Sequence, residues 1–369
     1  MTICLSMIIK NEAHCISKCL ESVKPYINYW IICDDTESID NTEEVIKNIL
    51  KDIPGEYHRH EWKDFSTNRN MALQLAKDKA DYTLIIDADD YLTTKGPDTF
   101  SNLKELAYNI NFKHGTINYN RTQLIHNSLD CKYIGILHEY LQLPPNTIPA
   151  KLNNVIINYG GNGARSKDPN KFAKDAERFE KAILEEPNNS RYMFYCAQSY
   201  RDAGNLKKCM ECYEKRSAMG GWNEEVFISL LESAKAKEKL NFNMFEIETA
   251  YLKAHYQNTN RVEPLYYLAK YFRLNNNLNK AYCYAKEGLK INKPSDGLFV
   301  EYACYDWKLY DEIGISAYYL GHKEEGKYAC EKILKLNLPA QDRVRINKNY
   351  SFYKLPETTV TCQVPDIVP

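Results

Sequence analysis

Strand-like and helix-like segments alternate over the first 160 residues, and after about Asn170 the strand signals stop. Ile3–Ile9 is a short apolar, β-rich run, followed by apolar residues at helical spacing over Glu12–Val23. Trp30–Cys33 reads as a second strand, and Asp40-Asn41-Thr42-Glu43 as a cap opening a helix over Glu44–Lys51. A third strand is expected at His58–Trp62, then a helix capped by Ser66 or Thr67 and running to about Lys79. The fourth strand, Tyr82–Ile86, ends in Asp87-Ala88-Asp89-Asp90. This alternation predicts an α/β domain with a mostly parallel sheet, whose ligands bind beyond the carboxyl ends of the strands. Both aspartate clusters, Asp34-Asp35 and Asp87–Asp90, fall at such ends.

The second half reads as all-α. Ala197, Tyr200, Cys209 and Tyr213 have the spacing of Ala269, Phe272, Ala281 and Ala285, and Gly314, Ala317, Gly326 and Cys330 repeat it. Small residues at the first and third places let paired helices approach closely, and Tyr or Phe fills the gap. The pattern resembles the tetratricopeptide repeat of about 34 residues, with Gly204 and Gly321 at inter-helix turns. Uneven spacing predicts an insertion or a degenerate repeat between Trp222 and Val262. The expected domains are 1–160, a helical array over 161–350, and a tail over 351–369.

Composition narrows the function classes. Lys+Arg of 48 against Asp+Glu of 49 gives a net charge of -1, which argues against a nucleic-acid partner, because phosphate neutralisation needs a basic face. No segment approaches the roughly 20 apolar residues of a membrane span. The run after Met1 breaks at Lys10-Asn11-Glu12, unlike a signal peptide. Of the 12 cysteines, Cys4, Cys19, Cys33, Cys196, Cys283 and Cys330 lie in periodic segments, as small hydrophobes do. The lone Cys209–Cys212 pair has no second pair at zinc spacing. The expectation is a reduced, cytoplasmic chain.

Asp87, Asp89 and Asp90 place three carboxylates within four positions, a cluster whose self-repulsion is offset by a cation. On an extended backbone Asp87 and Asp89 point the same way and can address one ligand. A solvated turn accounts for the same residues. Asp34-Asp35 can accept from a nucleobase N–H or a ribose hydroxyl, or simply close a turn.

Taken in order, Ser6 through Glu12, Asp35 through Thr42, Asn68-Arg69-Asn70, Asp87-Ala88-Asp89-Asp90, Gly135 through Tyr140, Arg165 through Pro169, Arg191 through Asp202 and Gly220-Gly221-Trp222 resemble family 2 glycosyltransferases. The likeness is to the bacterial and giant-virus branch that carries a tetratricopeptide tail, and it spans about residues 1–235. It implies a GT-A, Rossmann-like domain with a mixed sheet, followed by a TPR-like array. The implied activity is metal-dependent, inverting transfer of a sugar from a nucleotide-diphosphate donor, a UDP-sugar first, to a hydroxyl of a glycan or protein. A viral source would put it in the host cytoplasm.

By position, the resemblance gives Asp35 the nucleobase, Asn68 and Arg69 the base or diphosphate, and Asp87 the ribose. Asp89, with Asp87, would hold Mn²⁺ or Mg²⁺, which offsets the charge gained by the leaving diphosphate. Glu139 is the first choice for the base that deprotonates the acceptor, with His138 as its alternative. Arg121 and Arg165 are candidate diphosphate or acceptor contacts. Three departures from the family pattern touch the pocket: Glu37 and Ile39 in Asp35-Thr36-Glu37-Ser38-Ile39, where Gly and Thr are usual, and Cys131 in place of Trp. Two further readings survive: a degenerate module whose helical array, also a candidate for self-association, is an interaction scaffold, and a nucleotidyltransferase. The second is disfavoured by the absence of a Gly-rich basic loop after the first strand.

Overall fold

The computed structural model describes residues 1–115, 117–295 and 297–354. It divides into two compact units, Met1–Ala182 and Ile183–Pro369. Of the expected tail over 351–369, residues 355–369 lie outside the described residues.

In the first unit the elements run β1 (Ile3–Ile9), α1 (Ile16–Val23), β2 (Tyr29–Asp35), α2 (Thr42–Ile49), β3 (Gly55–His60), α3 (Phe65–Ala76), β4 (Tyr82–Ile85), β5 (Tyr91–Thr94), β6 (Ala107–His114), β7 (Ile117–His126), β8 (Lys132–Ile134), β9 (Tyr140–Gln142) and β10 (Ala150–Asn158). Eight strands form one mixed sheet in the order β3-β2-β1-β4-β7-β6-β10-β5, and β8-β9 make a separate ribbon. β3, β2, β1 and β4 are mutually parallel. β7 pairs antiparallel with β4 and with β6, and β5 runs antiparallel on the far edge. The fold is the Rossmann-like GT-A arrangement expected.

β1 and β2 are mostly apolar, with Ser6 and the terminal Asp34-Asp35 the exceptions, because helices cover both faces of the sheet. Ile16, Leu20 and Val23 of α1 and Ile46 of α2 pack with Leu5, Met7 and Ile32 on one face. Ala72 and Ala76 of α3 meet Cys4, Ile31 and Cys33 on the other. α3 begins earlier than the sequence reading placed it. Its cap is Asp64, which accepts from Thr67 N at 2.8 Å, and the Ser66 and Thr67 hydroxyls donate to the same carboxylate. β3 likewise ends at His60, short of the expected Trp62.

α4 (Lys171–Glu185) straddles the division between the units. The second unit continues with α5 (Ser190–Asp202), α6 (Leu206–Ala218), α7 (Asn223–Lys239), α8 (Met244–Gln257), α9 (Glu263–Leu274), α10 (Leu278–Gly288), α11 (Leu309–Tyr319), α12 (Lys323–Leu334) and α13 (Ala340–Phe352). The small and aromatic repeat positions are buried in α5/α6, α9/α10 and α11/α12. The gap seen in the sequence is filled by a regular pair, α7/α8. Its turn, residues 240–243, is one residue longer than the three-residue turns of the other pairs, which shifts the pattern out of register. Each turn has one residue at positive φ: Gly204 (78°), Asn241 (56°), Asn276 (58°) and Gly321 (80°). Asn does at two turns what Gly does at the others, since its short polar side chain tolerates this region.

Candidate active site

The carboxyl ends of β1 and β4 open onto a cleft of about 480 Å³, lined by residues that include Lys10, Glu12, Trp62, Phe65, Arg69, Asp87, Asp89 and Arg165. One of its buried charges is Arg69. The guanidinium is buried, donates from Nε to Glu139 Oε1 at 2.7 Å, and from a terminal nitrogen to Asp87 Oδ1 at 2.7 Å. The Asp87 carboxyl is penalised by burial, yet Arg69 and Arg121 outweigh that and hold it below the usual carboxylate range.

This triad joins residues 70 positions apart because Asn70 clamps the β8 strand to α3. Asn70 donates to Tyr133 O at 2.9 Å and accepts from Tyr133 N at 2.7 Å. Phe65 N also donates to Ile136 O at 3.3 Å. Asn68 turns away from the cleft's chemistry: its Oδ1 accepts from Lys63 N at 3.1 Å and fastens the chain before α3.

Asp89 also lines the cleft, and its Oδ2 accepts from Gly163 N at 3.0 Å. The next amide, Ala164 N, donates to both oxygens of Glu12 at 3.3 Å. Two consecutive backbone N–H groups thus hold two carboxylates side by side. Burial, with Asp89 nearby, pushes the Glu12 carboxyl up, although Cys15 and Ala164 oppose the shift. Behind them Asp90 is buried, and burial together with Asp87 and Asp89 raises it to about 7. Sequence reasoning missed Glu12 and the strap Gly160-Gly161-Asn162-Gly163. The run of glycines so close after the last strand of the sheet was the available signal.

Asp35 is buried at the end of β2. Its Oδ1 accepts from Glu37 N at 2.9 Å, and its Oδ2 pairs with Lys10 Nζ at 2.7 Å. Lys10 also pairs with the exposed Glu37 side chain. Glu37 does not take a positive φ, so the absent glycine leaves no backbone strain, and Ile39 is 92% exposed. Cys131 packs beside Ile85, Ala107, Ile125 and Tyr133.

The remaining predicted residues are dispersed. Glu139 reaches the cleft only behind Arg69, with its side chain 8% exposed. His138 sits in the left-handed region at φ 52°, its ring nearly parallel to Phe179 with centroids 6.4 Å apart. Arg165 pairs with Asp175 and lies over the Phe65 ring at 4.9 Å. Arg121 stacks on Phe112 at 5.1 Å and acts on Asp87 through its charge. For a divalent cation the donor set is suitable: Asp89 and Glu12 offer hard oxygen ligands at the cleft wall, whereas Asp87 has Oδ1 committed to Arg69. Among the described residues all eleven cysteines are free, and no helix is long and apolar enough to cross a membrane.

Comparison with known proteins agrees with this layout. Residues 4–97 match the family described as glycosyl transferase family 2. The SPbeta prophage-derived glycosyltransferase SunS of Bacillus subtilis (strain 168) is 24% identical over 207 residues, 53% of this chain and 48% of that protein. Glycosyltransferase SunS of Bacillus phage SPbeta matches equally. The chain therefore spans about half the length of the curated relatives it matches. Among solved structures, MamA is 16% identical with a TM-score of 0.37, over 45% of this chain and 88% of that one. The C-terminal part of a TPR repeat-containing protein from Cytophaga hutchinsonii is 18% identical with a TM-score of 0.39, over 49% and 67%. Residues 4–97, which match the family 2 glycosyltransferase model, carry the parallel strands β1 to β4 and the aspartates beyond the ends of β2 and β4, ahead of a helical array.

Proposed function

We propose that this chain is a metal-dependent, inverting glycosyltransferase, moving one sugar from a nucleotide-diphosphate donor, a UDP-sugar first, to a hydroxyl of a glycan or protein. The observation that carries the reading is the cleft itself, which holds Arg69, buried between Asp87 and Glu139, and Asp89 with Glu12 beside it. Asp89, with Glu12, would hold the divalent ion, Mn²⁺ or Mg²⁺, which supplies charge compensation for the leaving diphosphate.

The chain's own residues do the remaining work. Arg69 fixes Asp87 toward the donor ribose and offers positive charge to the diphosphate; Arg165 extends that charge across the cleft. Glu139 is the proposed base: Arg69 holds its Oε1, and its Oε2 takes the proton of the attacking hydroxyl. The α4 to α13 helices would bind the acceptor or a second copy of the chain.

A second reading draws on Asp35. Both of its oxygens are occupied, by Glu37 N and by Lys10, so a base can reach it only if Lys10 moves. On that reading the nucleotide site is idle and the array works as a protein-interaction scaffold.

Thermal unfolding with UDP, GDP, CDP and dTDP, each with and without Mn²⁺, separates the two. A ligand at 100 times its dissociation constant stabilises by about 2.7 kcal/mol, a shift of several degrees. A Mn²⁺-dependent shift that Asp89→Asn removes supports the transferase. No shift with any nucleotide supports the scaffold.

A further inference from the structure

Three potential metal ligands of different chemistry converge where β1 gives way to α1. One ligand atom each from Glu12, His14 and Cys15 lie within 4.8 Å of one another. The Cys15 thiol donates to Glu12 Oε2 across 3.1 Å. His14 Nε2 meets the Asn162 carbonyl at 2.6 Å, so the imidazole is already fixed from the glycine strap. None of these contacts is used by the transferase reading except the Glu12 carboxylate.

We propose that Glu12, His14 and Cys15 form a binding site for a zinc-class divalent ion, distinct from the hard-cation site at Asp89. The donor set decides the class. A thiolate, an imidazole and a carboxylate suit Zn²⁺ or Co²⁺, whereas Mn²⁺ and Mg²⁺ prefer oxygen alone. Size agrees as well. Zinc bonds of about 2.3 Å to sulfur and about 2.1 Å to oxygen, at a tetrahedral angle, separate the two ligand atoms by about 3.6 Å. The present thiol–carboxylate separation is a few tenths of an ångström less, with a proton where the metal would sit. Binding replaces that proton: the S–H bond breaks, a sulfur–metal bond forms, and the proton leaves to solvent, so affinity falls as pH falls. Three protein ligands leave a fourth position open.

The site has a consequence for the cleft. Glu12 lies beside Asp89, and Ala164 N holds its carboxylate. Drawing Glu12 onto zinc removes it from the hard-cation site, so zinc inhibits turnover. This last step rests on the transferase reading; the binding does not.

The test is calorimetric titration of the full chain with ZnCl₂ in manganese-free, reducing buffer, with Co²⁺ absorption as a second readout. One equivalent of zinc is expected to bind, with a thiolate-to-cobalt charge-transfer band. Cys15→Ser should abolish the band and weaken zinc binding at least tenfold, and His14→Ala, at an exposed position, should weaken it similarly while leaving the melting curve unchanged. Asp89→Asn should retain zinc binding. Unaltered zinc affinity in both Cys15→Ser and His14→Ala would overturn the site. Zinc binding lost in those variants, but with no nucleotide shift in any protein, would leave the zinc site standing and remove the transferase reading alone.

Discussion

A β-carbon on Gly160 would lie 1.7 Å from the carbonyl oxygen of Asp89, so the chain passes the acidic motif there only because residue 160 has no side chain. The contact fixes the start of the strap whose later amides hold Asp89 and Glu12. Gly160→Ala should push the strap off the motif. The expected outcome is a loss of about 1–3 kcal/mol in stability and loss of the Mn²⁺-dependent nucleotide shift, both read from melting curves.

Removing Arg69 strands two carboxylates, one of them almost wholly buried. Breaking a buried pair by deleting one partner costs about 3–5 kcal/mol. Arg69→Ala should therefore be strongly destabilised in urea unfolding. Combining it with Glu139→Gln and Asp87→Asn, which remove the stranded charges, should recover part of the loss.

Glu139→Gln tests the proposed base. The amide oxygen can still accept from Arg69 Nε, so donor affinity should persist while turnover drops by about 10²–10⁴-fold. Unchanged turnover would take the role away from Glu139.

Asp90 makes stability depend on pH in a defined direction. Its carboxyl titrates near 7 in the fold, raised by burial and by Asp87 and Asp89, against about 3.9 in an unfolded chain. Between those values the folded state holds more protons than the unfolded one, so stability falls as pH rises from about 4 to about 7. Asp90→Asn keeps an acceptor for Gly160 N and removes the titration. In metal-free buffer it should melt above the parent at pH 8 and close to it at pH 4.

The helical turns offer a paired comparison. Gly204→Ala forces a side chain into the left-handed region at a cost of about 1–2 kcal/mol. Asn241→Gly, at the same place in the next pair, should leave stability within a few tenths of a kcal/mol. Denaturant midpoints distinguish the two.

Much of this was legible in the residues. Apolar runs located β1, β2 and β4, the last two leading into aspartates, and with them the cleft beyond, because strands covered on both faces are largely hydrophobic. Spacing found three of the helical pairs and left α7/α8 as an insertion or a degenerate repeat, since one added turn residue hides a repeat from any fixed period. Pairings set by tertiary structure were out of reach. Nothing local to Arg69 announces Glu139, and nothing in Asp35 announces that Lys10 will cover it. Glu12 was passed over because its neighbour Asp89 lies far along the chain, and the strap between them adds only main-chain amides.

Those amides have a consequence for how the protein can change. Asp89 and Glu12 are gripped by the backbone N–H groups of residues 163 and 164, a resource every amino acid except proline provides. Mutation can therefore exchange the side chain of Ala164, and with it the surface beside the acidic centre, without rebuilding that centre. A lineage could diversify the one while inheriting the other intact.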